Sequence, residues 1–244
     1  MNASLHPDDS GLGRCEISVF FPCHNEAASV ESLVRKTIGV LNEVASDYEI
    51  IIVDDGSTDE TPAIADRLVD ELAAVKVVHH PTNLGYGAAL QSGFRAATKE
   101  WVFYTDGDAQ FDVEELKGIL PLAGQYDIVS CYRLNRQEGW RRRLSAFCWN
   151  RLVGRVFRMR LKDVDCAFKL YRREIFDRIE MQSQGALIDA EILARALRKG
   201  YTIGQAGVRH YPRRSGRSSG GDPRVILRAF RELLQLRGEI LRDG

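Results

Sequence analysis

Three oxygen-bearing side chains follow an apolar run at alternate positions. The stretch WVFYTDGDAQFD (101–112) has Asp106, Asp108 and Gln110 directly after strand-forming residues. Carboxylate oxygens at i and i+2 and an amide oxygen at i+4 are hard ligands on a short span, and they suit a Mg²⁺ or Mn²⁺ ion shared with substrate phosphates. Gly107 between the carboxylates leaves room for a close backbone contact. The stretch therefore predicts a divalent-metal site that receives a phosphorylated substrate.

Two further polar clusters also follow apolar runs. PCHNE (22–26) comes after ISVFF, and DDGSTD (54–59) comes after YEIIIV. A carboxylate such as Asp54 at a buried strand end costs free energy unless a partner compensates it. The residues that follow it in the sequence are also typical of a tight turn and a helix N-cap, so a purely structural role stays open for Ser57, Thr58 and Asp59.

The elements that must position these clusters alternate along the chain. Short β-branched or aromatic runs precede helical patterns, which is typical of βαβ units and a mainly parallel sheet flanked by helices. Ligands of such open α/β sheets bind beyond the carboxyl ends of the strands, so we expect the three clusters to converge. The patterns predict strands at 17–22, 48–55, 75–81 and 100–108 with helices between them, and later strands at 166–172 and 202–211 around a helix at 187–200.

The chain is long enough for one large domain with a real core. We predict a disordered tail at residues 1–14, a single α/β domain with an elaborated C-terminal half at 15–220, and an amphipathic helix at 221–244. That helix combines apolar residues with arginines. It either lies in the headgroup region of an anionic membrane or packs on the domain or on a second copy.

The bulk composition excludes several classes of protein. Thirty-four Lys and Arg balance thirty-four Asp and Glu, so the overall charge does not indicate a nucleic-acid-binding protein. Five widely spaced cysteines without a CxxC pair indicate neither a disulfide framework nor a zinc site. No run approaches the roughly 20 apolar residues that span a bilayer, and residues 1–14 lack the apolar core of a signal peptide. We expect a cytoplasmic protein that is not an integral membrane protein.

A basic block occupies residues 133–160. It carries nine arginines and one acidic residue, Glu138, with apolar side chains interleaved. The surplus of Arg over Lys favours a surface that binds phosphate or anionic lipid, and a solvated helix face is the alternative. RNA binding lacks any module signature.

Two other classes fit the sequence poorly. The glycines of NLGYGAALQSG follow the third strand and do not match the dinucleotide fingerprint, which disfavours an oxidoreductase. IIVDD with a later strand-end Asp106 imitates the Mg²⁺ pocket of a phospho-acceptor receiver domain. That remote alternative leaves Asp108, Gln110 and the basic block without a role.

Five motifs, in this order and spacing, carry a resemblance to a known family: PCHNE, IIIVDDGSTD, NLGYGAALQSGFRAA, YTDGDAQFD and VDCAFKLYRRE. Over roughly residues 15 to 220 the chain resembles the family 2 inverting glycosyltransferases of the GT-A fold, in particular the dolichyl- and polyprenyl-phosphate sugar synthase branch. The resemblance implies a nucleotide-sugar pocket formed by Pro22, His24, Glu26, Asp54, Asp106, Gly107 and Arg214. It also implies metal binding by Asp106, Asp108 and Gln110, and an acceptor phosphate bound by Arg133, Arg141 and Ser145. Asp106, Asp108 and Arg133 would be the catalytic residues.

The function implied is transfer of a hexose from a UDP- or GDP-sugar to polyprenyl phosphate, which gives a β-linked lipid-phospho-sugar. The bound metal and nearby arginines would stabilise the leaving diphosphate, and an anionic acceptor needs no strong base. An acceptor hydroxyl would need one, and the candidates are Asp189 and Glu191, for which the polar face of a helix is the structural alternative. The second hypothesis is a family 2 enzyme that elongates a surface polysaccharide or glycolipid. Expected partners are an anionic membrane surface or a membrane protein, and an oligomer is compatible with the sequence.

Overall fold

The structure is a computed structural model that describes residues 14–134, 140–212, 232–233 and 236–240. The side chains of residues 140–145 lie outside the description. No helix among these residues is long and apolar enough to cross a membrane.

Strands and helices alternate in the first half of the chain, as predicted. The elements in order are β1 (Cys15–Cys23), α1 (Val30–Val44), β2 (Ala45–Asp54), α2 (Thr61–Glu71), β3 (Val75–His79), α3 (Tyr86–Ala96) and β4 (Trp101–Thr105). Two 3₁₀ turns follow, Val113–Glu115 and Leu120–Gly124, with the short helix α4 (Leu116–Ile119) between them. The second half contains β5 (Ile128–Arg133), α5 (Trp140–Val156), β6 (Phe168–Arg172), α6 (Ile175–Arg178), α7 (Ile188–Arg198) and β7 (Ile203–Val208).

The seven strands form one sheet in the order β3-β2-β1-β4-β6-β5-β7. Strands β3, β2, β1 and β4 are parallel neighbours, β6 runs antiparallel to both β4 and β5, and β5 and β7 are parallel. The α/β prediction with a mainly parallel sheet is confirmed. Because the chain runs outward from β1 to β3 and then returns to pair β4 on the other side of β1, the strand order reverses at β1. Ligands of open sheets bind at such a reversal.

The central strands are buried because their residues are apolar on both faces. β4 is buried along its whole length, and β1 and β2 expose only residues near their ends. Helix α3 lies very close to β1, since a Cβ on Gly93 would come within 2.2 Å of the Phe20 ring. The Phe20 and Phe94 rings meet edge to face at 4.8 Å between centroids. This contact fixes the second half of α3 against β1.

Part of the C-terminal segment packs on the domain. Residues 232–233 and 236–240 are helical, and Leu233, Leu236 and Ile240 are buried. Ile240 lies with Ile179 and Arg195 around a small depression beside α7. Of the two roles considered for the helix at 221–244, these three residues favour packing on the domain. The rest of that helix lies outside the described residues.

Candidate active site

A cavity of about 600 Å³ opens beyond the carboxyl ends of β1 and β4, where the strand order reverses. The clusters after β1, β2 and β4 meet there, as the strand-end argument requires. Six of the predicted site residues line it: Pro22, His24, Glu26, Asp106, Gly107 and Asp108. The other lining residues are Cys23, Asp55, Asn83, Gly85, Tyr86 and Ala89.

The turn that carries Asp106 and Asp108 is fastened to the end of β1. The Gly107 N–H donates to the Pro22 carbonyl at 3.2 Å, and the Ser29 hydroxyl donates to the Gly107 carbonyl at 2.8 Å. A Cβ at position 107 would lie 2.5 Å from the Cys23 sulfur. Only glycine therefore allows this close approach, which agrees with the prediction for this position.

The two aspartates at the end of β2 hold different parts of the site. Asp54 accepts from the Ser57 N–H at 3.0 Å and faces His79 Nδ1 at 2.9 Å. It is buried and does not line the cavity, so its compensating partners are protein groups. Although burial opposes the shift, these hydrogen bonds lower the pKa of Asp54.

Asp55, rather than Asp54, is the aspartate of this pair that faces the cavity. Its carboxylate accepts from the backbone N–H groups of Leu84 and Gly85 at 2.8 and 2.9 Å, and His80 Nδ1 lies 2.7 Å away. Asp55 thereby holds the loop that leads into α3. The glycine of that loop has a φ of +99°, a conformation that favours glycine.

Turn residues of DDGSTD also hold the loop after β1. The Asn25 N–H donates to the Ser57 hydroxyl at 2.9 Å, and the Ala27 N–H donates to Asp59 at 3.2 Å. His24 Nδ1 lies 2.9 Å from the Asp55 carbonyl. The structural role left open for Ser57 and Asp59 is therefore the one observed, and it fixes a wall of the cavity.

The Asp106 carboxyl in the cavity has a strongly raised pKa. Burial, followed by repulsion from Asp108 and Asp189, raises its pKa to about 7. One of its oxygens, Oδ1, is buried without a hydrogen-bond partner among the described residues. The Tyr86 hydroxyl interacts with the Asp106 carboxyl and opposes the upward shift in its pKa.

A buried charged cluster lies behind Asp106. The Lys169 ammonium donates to Asp189 Oδ1 at 2.7 Å and to the Tyr104 hydroxyl at 3.0 Å, and Tyr104 in turn donates to Asp189. Lys169 and Asp189 are 0% and 2% exposed. The Tyr86 hydroxyl also interacts with Tyr104, so the cluster reaches the cavity through Tyr86.

Neither candidate base lines the cavity. Asp189 is paired with Lys169, as described above, and Glu191 is fully buried. Glu191 accepts from the N–H groups of Gln182 and Ser183 and from Arg195 Nε at 2.9 Å. Glu191 thereby holds the loop before α7. That loop contacts α3, because the Gly87 N–H donates to the Gln184 carbonyl at 3.0 Å.

Gln110 connects the aspartate turn to the end of the described domain. Its Nε2 donates to the Tyr211 carbonyl at 3.0 Å, and its own carbonyl accepts from the Tyr211 N–H at 2.8 Å. Two residues before Tyr211, the backbone N–H and the guanidinium of Arg209 donate to the Glu115 carboxylate. The segment that precedes RRSGRSS is thus attached beside the cavity.

Arg133 lies at the end of β5 and is not among the residues that line the cavity. Its guanidinium makes two hydrogen bonds to the buried Asp163, at 2.7 and 2.9 Å. Asp165 lies nearby, and burial with repulsion from Asp189 raises its pKa to about 6. The side chains of the other predicted phosphate-binding residues, Arg141, Ser145 and Arg214, are outside the described residues.

The Glycosyl transferase family 2 model matches residues 18–180, which include most of β1 and all of β2 and β4. The chain belongs to glycosyl transferase family 2. Glycosyltransferase AglD of Haloferax volcanii is 32% identical over 237 residues, which are 93% of this chain and 36% of that protein. Dodecaprenyl-phosphate galacturonate synthase of Rhizobium johnstonii is 31% identical over 225 residues, or 91% of this chain and 65% of the relative. The chain therefore spans between about a third and two thirds of the length of these curated relatives.

The chain is also similar to a solved structure. Glucosyl-3-phosphoglycerate synthase from Mycobacterium tuberculosis, in complex with Mn²⁺, UDP-glucose and phosphoglyceric acid, superposes with a TM-score of 0.67 at 19% identity. The match covers 92% of this chain and 80% of the other. At this identity the likeness shows the fold, and the GT-A prediction is confirmed.

The family 2 cavity offers fitting but incomplete ligands for a divalent ion. Asp106 has an unpartnered buried oxygen, and Asp108 lines the same cavity. Among the described residues, no three His, Cys, Asp or Glu side chains form a ready metal site. A metal held by two carboxylates needs further ligands, and a diphosphate oxygen is the type that Mg²⁺ and Mn²⁺ commonly take.

Sequence reasoning assigned no site role to Tyr86, Asn83 or Cys23. Asn83 and Tyr86 stand in NLGYG, whose glycines were compared only with the dinucleotide fingerprint. The signal that pointed to them was the position of this motif after a parallel strand, at the same edge as the three acidic clusters. Cys23 is the last residue of β1, and burial raises the pKa of its thiol, so it acts as a packing group under Gly107.

Proposed function

We propose that the chain transfers a hexose from a nucleotide diphosphate sugar to polyprenyl phosphate and inverts the configuration at the anomeric carbon. The C1–O bond to the donor diphosphate breaks, a bond from an acceptor phosphate oxygen to C1 forms, and the nucleoside diphosphate leaves with the electron pair. The observation that carries the proposal is the cavity at the strand reversal, where two carboxylates project from a turn that is fastened to β1.

The donor side is argued from this cavity. Asp106, Asp108 and Gln110 would hold Mg²⁺ or Mn²⁺, which would neutralise charge on the leaving diphosphate. Pro22, His24, Glu26 and Gly107 would border the nucleotide sugar, together with Asp55 and Tyr86. Asp54 would act through the loop that it holds rather than by direct contact.

The C-terminal arginines would complete the donor site. Gln110 binds the backbone of Tyr211, and a link of three residues spans at most about 11 Å. Arg214 follows Tyr211 by three positions, and we propose that it stabilises the leaving diphosphate at the aspartate turn.

The surroundings of the two candidate bases, Asp189 and Glu191, fit an anionic acceptor better than a hydroxyl acceptor. A hydroxyl needs a base that can face it, whereas Asp189 is paired with Lys169 and Glu191 is occupied by two backbone N–H groups and Arg195. A phosphate oxygen is already anionic near pH 7 and needs positive charge instead. Arg133, Arg141 and Ser145 would supply that phosphate contact, with Arg133 oriented by Asp163.

The names of two relatives favour the same acceptor. Dodecaprenyl-phosphate galacturonate synthase and undecaprenyl-phosphate 4-deoxy-4-formamido-L-arabinose transferase are named for polyprenyl phosphates. Such an acceptor sits in a bilayer. The chain would then work at a membrane surface as a peripheral protein or with a membrane partner.

A product assay tests this proposal. The protein is incubated with a panel of UDP- and GDP-sugars, Mn²⁺ or Mg²⁺, and a short polyprenyl phosphate in detergent, and the lipid is analysed by mass spectrometry. We expect one donor to give a glycosylated polyprenyl phosphate, and we expect the matching polyprenol, which lacks the phosphate, to give none. Transfer to polyprenol or to a sugar hydroxyl alone would refute the assignment of the acceptor.

A further inference from the structure

A second depression, of about 880 Å³, lies away from the active-site cavity and is strongly basic. It is formed by the second half of α5 and the turn at 158–162. Its lining includes five cationic side chains and no acidic one: Arg151, Arg155, Arg158, Arg160 and Lys162.

The charge of this depression is not compensated by the described part of the protein. Each of the four arginines is exposed, and none has a carboxylate within ion-pair distance among the described residues. Arg35 and Arg67 differ, because both are paired with Glu31. Several unpaired guanidinium groups around one depression favour an anionic ligand.

Two apolar side chains lie beside these cations. Phe147 is 61% exposed on α5, the highest value among the exposed large hydrophobic residues, and Leu161 lines the same depression. Arginines around exposed aromatic and aliphatic groups are the composition of a surface that lies on a bilayer. The guanidinium groups contact the headgroups and the apolar groups enter beneath them.

The depression has a fixed shape. Asn150 donates to the Ala146 carbonyl at 2.9 Å and accepts from the Val164 N–H at 2.8 Å, which ties α5 to the following loop. The Met159 N–H donates to the Gly154 carbonyl at 2.8 Å and closes the end of the helix. The cations are therefore presented by a preformed surface.

The surface adjoins the residue that we assign to the acceptor phosphate. The Lys162 ammonium lies 4.1 Å above the ring of Tyr132, next to Arg133, and Arg133 is bonded to Asp163. A bilayer that contacts the depression would therefore lie beside Arg133.

We propose that this basic depression is the surface by which the protein docks on an anionic lipid bilayer. Bilayer binding by this surface does not depend on the proposed function. Only its purpose, which is to bring a lipid acceptor to Arg133, rests on that function. The other candidate anchor is the C-terminal segment. Of its apolar residues that the structure describes, Leu233, Leu236 and Ile240 are buried in the protein.

Vesicle sedimentation of the full chain tests the inference. We expect binding to vesicles of phosphatidylcholine with phosphatidylglycerol at low salt, release at high salt, and little binding to phosphatidylcholine alone. The variant R151Q/R155Q/R160Q should bind roughly a hundredfold more weakly, since each Arg near an anionic surface contributes about a factor of five. The matched control R178Q/R198Q/K199Q removes three cations around α6 and α7 and should bind like the wild type.

Activity on a detergent-dispersed acceptor separates this inference from the proposed function. R151Q/R155Q/R160Q should retain that activity while it loses vesicle binding. Wild-type sedimentation by this variant, equal losses in the control variant, or no vesicle binding by the full chain would overturn the docking surface, whatever the detergent assay gives. Binding of inorganic pyrophosphate at the depression without vesicle binding would also overturn it.

Discussion

Asp106 shows at the residue scale how a binding site costs stability. Its pKa is raised from 3.8 to about 7, so between these pH values the folded protein holds a proton that the unfolded chain has released. The free energy of unfolding therefore falls as the pH rises through this range, and above about pH 7 the whole penalty is present. The shift corresponds to at most about 4 kcal/mol.

Asp106→Asn should remove this penalty. In chelator, we expect the variant to have a higher Tm than the wild type at about pH 8. We expect a much smaller difference at about pH 4, because the wild-type carboxyl is then protonated in the folded state and only partly ionised in the unfolded chain. Thermal unfolding across this pH range measures the effect. A difference in Tm that does not change with pH would show that burial of the charge is not its cause.

Tyr86 is the second residue with a specific expectation. Its hydroxyl interacts with Asp106 and opposes the rise in that pKa, so Tyr86→Phe should weaken metal binding. One lost hydrogen bond of about 1 kcal/mol predicts a several-fold higher Kd for Mn²⁺, measured by electron paramagnetic resonance in the presence of a nucleoside diphosphate. Tyr48→Phe is the control, because the Tyr48 hydroxyl donates to the exposed Asn42. Equal Kd values for the two variants would contradict the role of Tyr86.

The aspartate turn is the element on which the donor site depends. Gly107→Ala would put a methyl group 2.5 Å from the Cys23 sulfur and 3.1 Å from the Pro22 carbonyl, so the turn must move away from β1. We expect a large loss of kcat/KM for the donor. Gly118→Ala has no atom within 4 Å and should leave turnover unchanged.

A double variant tests the origin of this loss. Cys23→Gly combined with Gly107→Ala removes the sulfur contact and should restore part of the activity. If the double variant is no better than Gly107→Ala alone, the close approach to Cys23 is not what fixes the turn.

The pairing of Arg133 with the loop before β6 changes how its role must be tested. Arg133→Ala alone removes both guanidinium hydrogen bonds to the buried Asp163, and breaking a buried ion pair typically costs about 3 to 5 kcal/mol of stability. The variant Arg133→Ala/Asp163→Ala should unfold at a higher temperature than the single variant. It should also show a raised KM for polyprenyl phosphate with a nearly unchanged KM for the donor. Equal rises in both KM values would refute the acceptor role.

Apolar runs predicted most strands well, but pairing needed the structure. The run before Asp106 was expected to end at 108, and β4 ends at Thr105 because the turn over β1 begins there. β5 was not predicted as a strand. Nothing local in a strand specifies that β6 enters between β4 and β5 in the opposite direction, since the choice of neighbour depends on tertiary packing.

The candidate site could be predicted to the level of its strand ends and not to each side chain. Pro22, Glu26, Asp106 and Asp108 converge because parallel strands end at one edge of the sheet. Asp54 and Asp55 are neighbours whose side chains point to opposite sides, so sequence alone did not decide which one faces the cavity. Lys169, which holds Asp189, lies in an apolar run that gives no sign of its partner.

At the scale of the whole molecule, the two halves of the sheet divide the proposed work. The parallel half from β3 to β4 provides the cavity for the donor, and the half from β6 to β7 carries Arg133 and adjoins the basic depression. β1 and β4 lie at the boundary, and the aspartate turn connects them. In the proposed transfer, the water-borne donor would bind to the first half of the sheet and the lipid acceptor would approach the second.

The most direct test of the central claim compares the wild type with Asp108→Ala in the transfer assay. With the donor identified from the panel, polyprenyl phosphate and Mn²⁺, the wild type should release nucleoside diphosphate and form glycosylated lipid in equal amounts, and chelator should stop both. Asp108→Ala should form no product while it keeps the wild-type circular dichroism spectrum, because Asp108 lies at the cavity and not in the core. Product formation by Asp108→Ala at the wild-type rate, or by the wild type in chelator, would contradict the account.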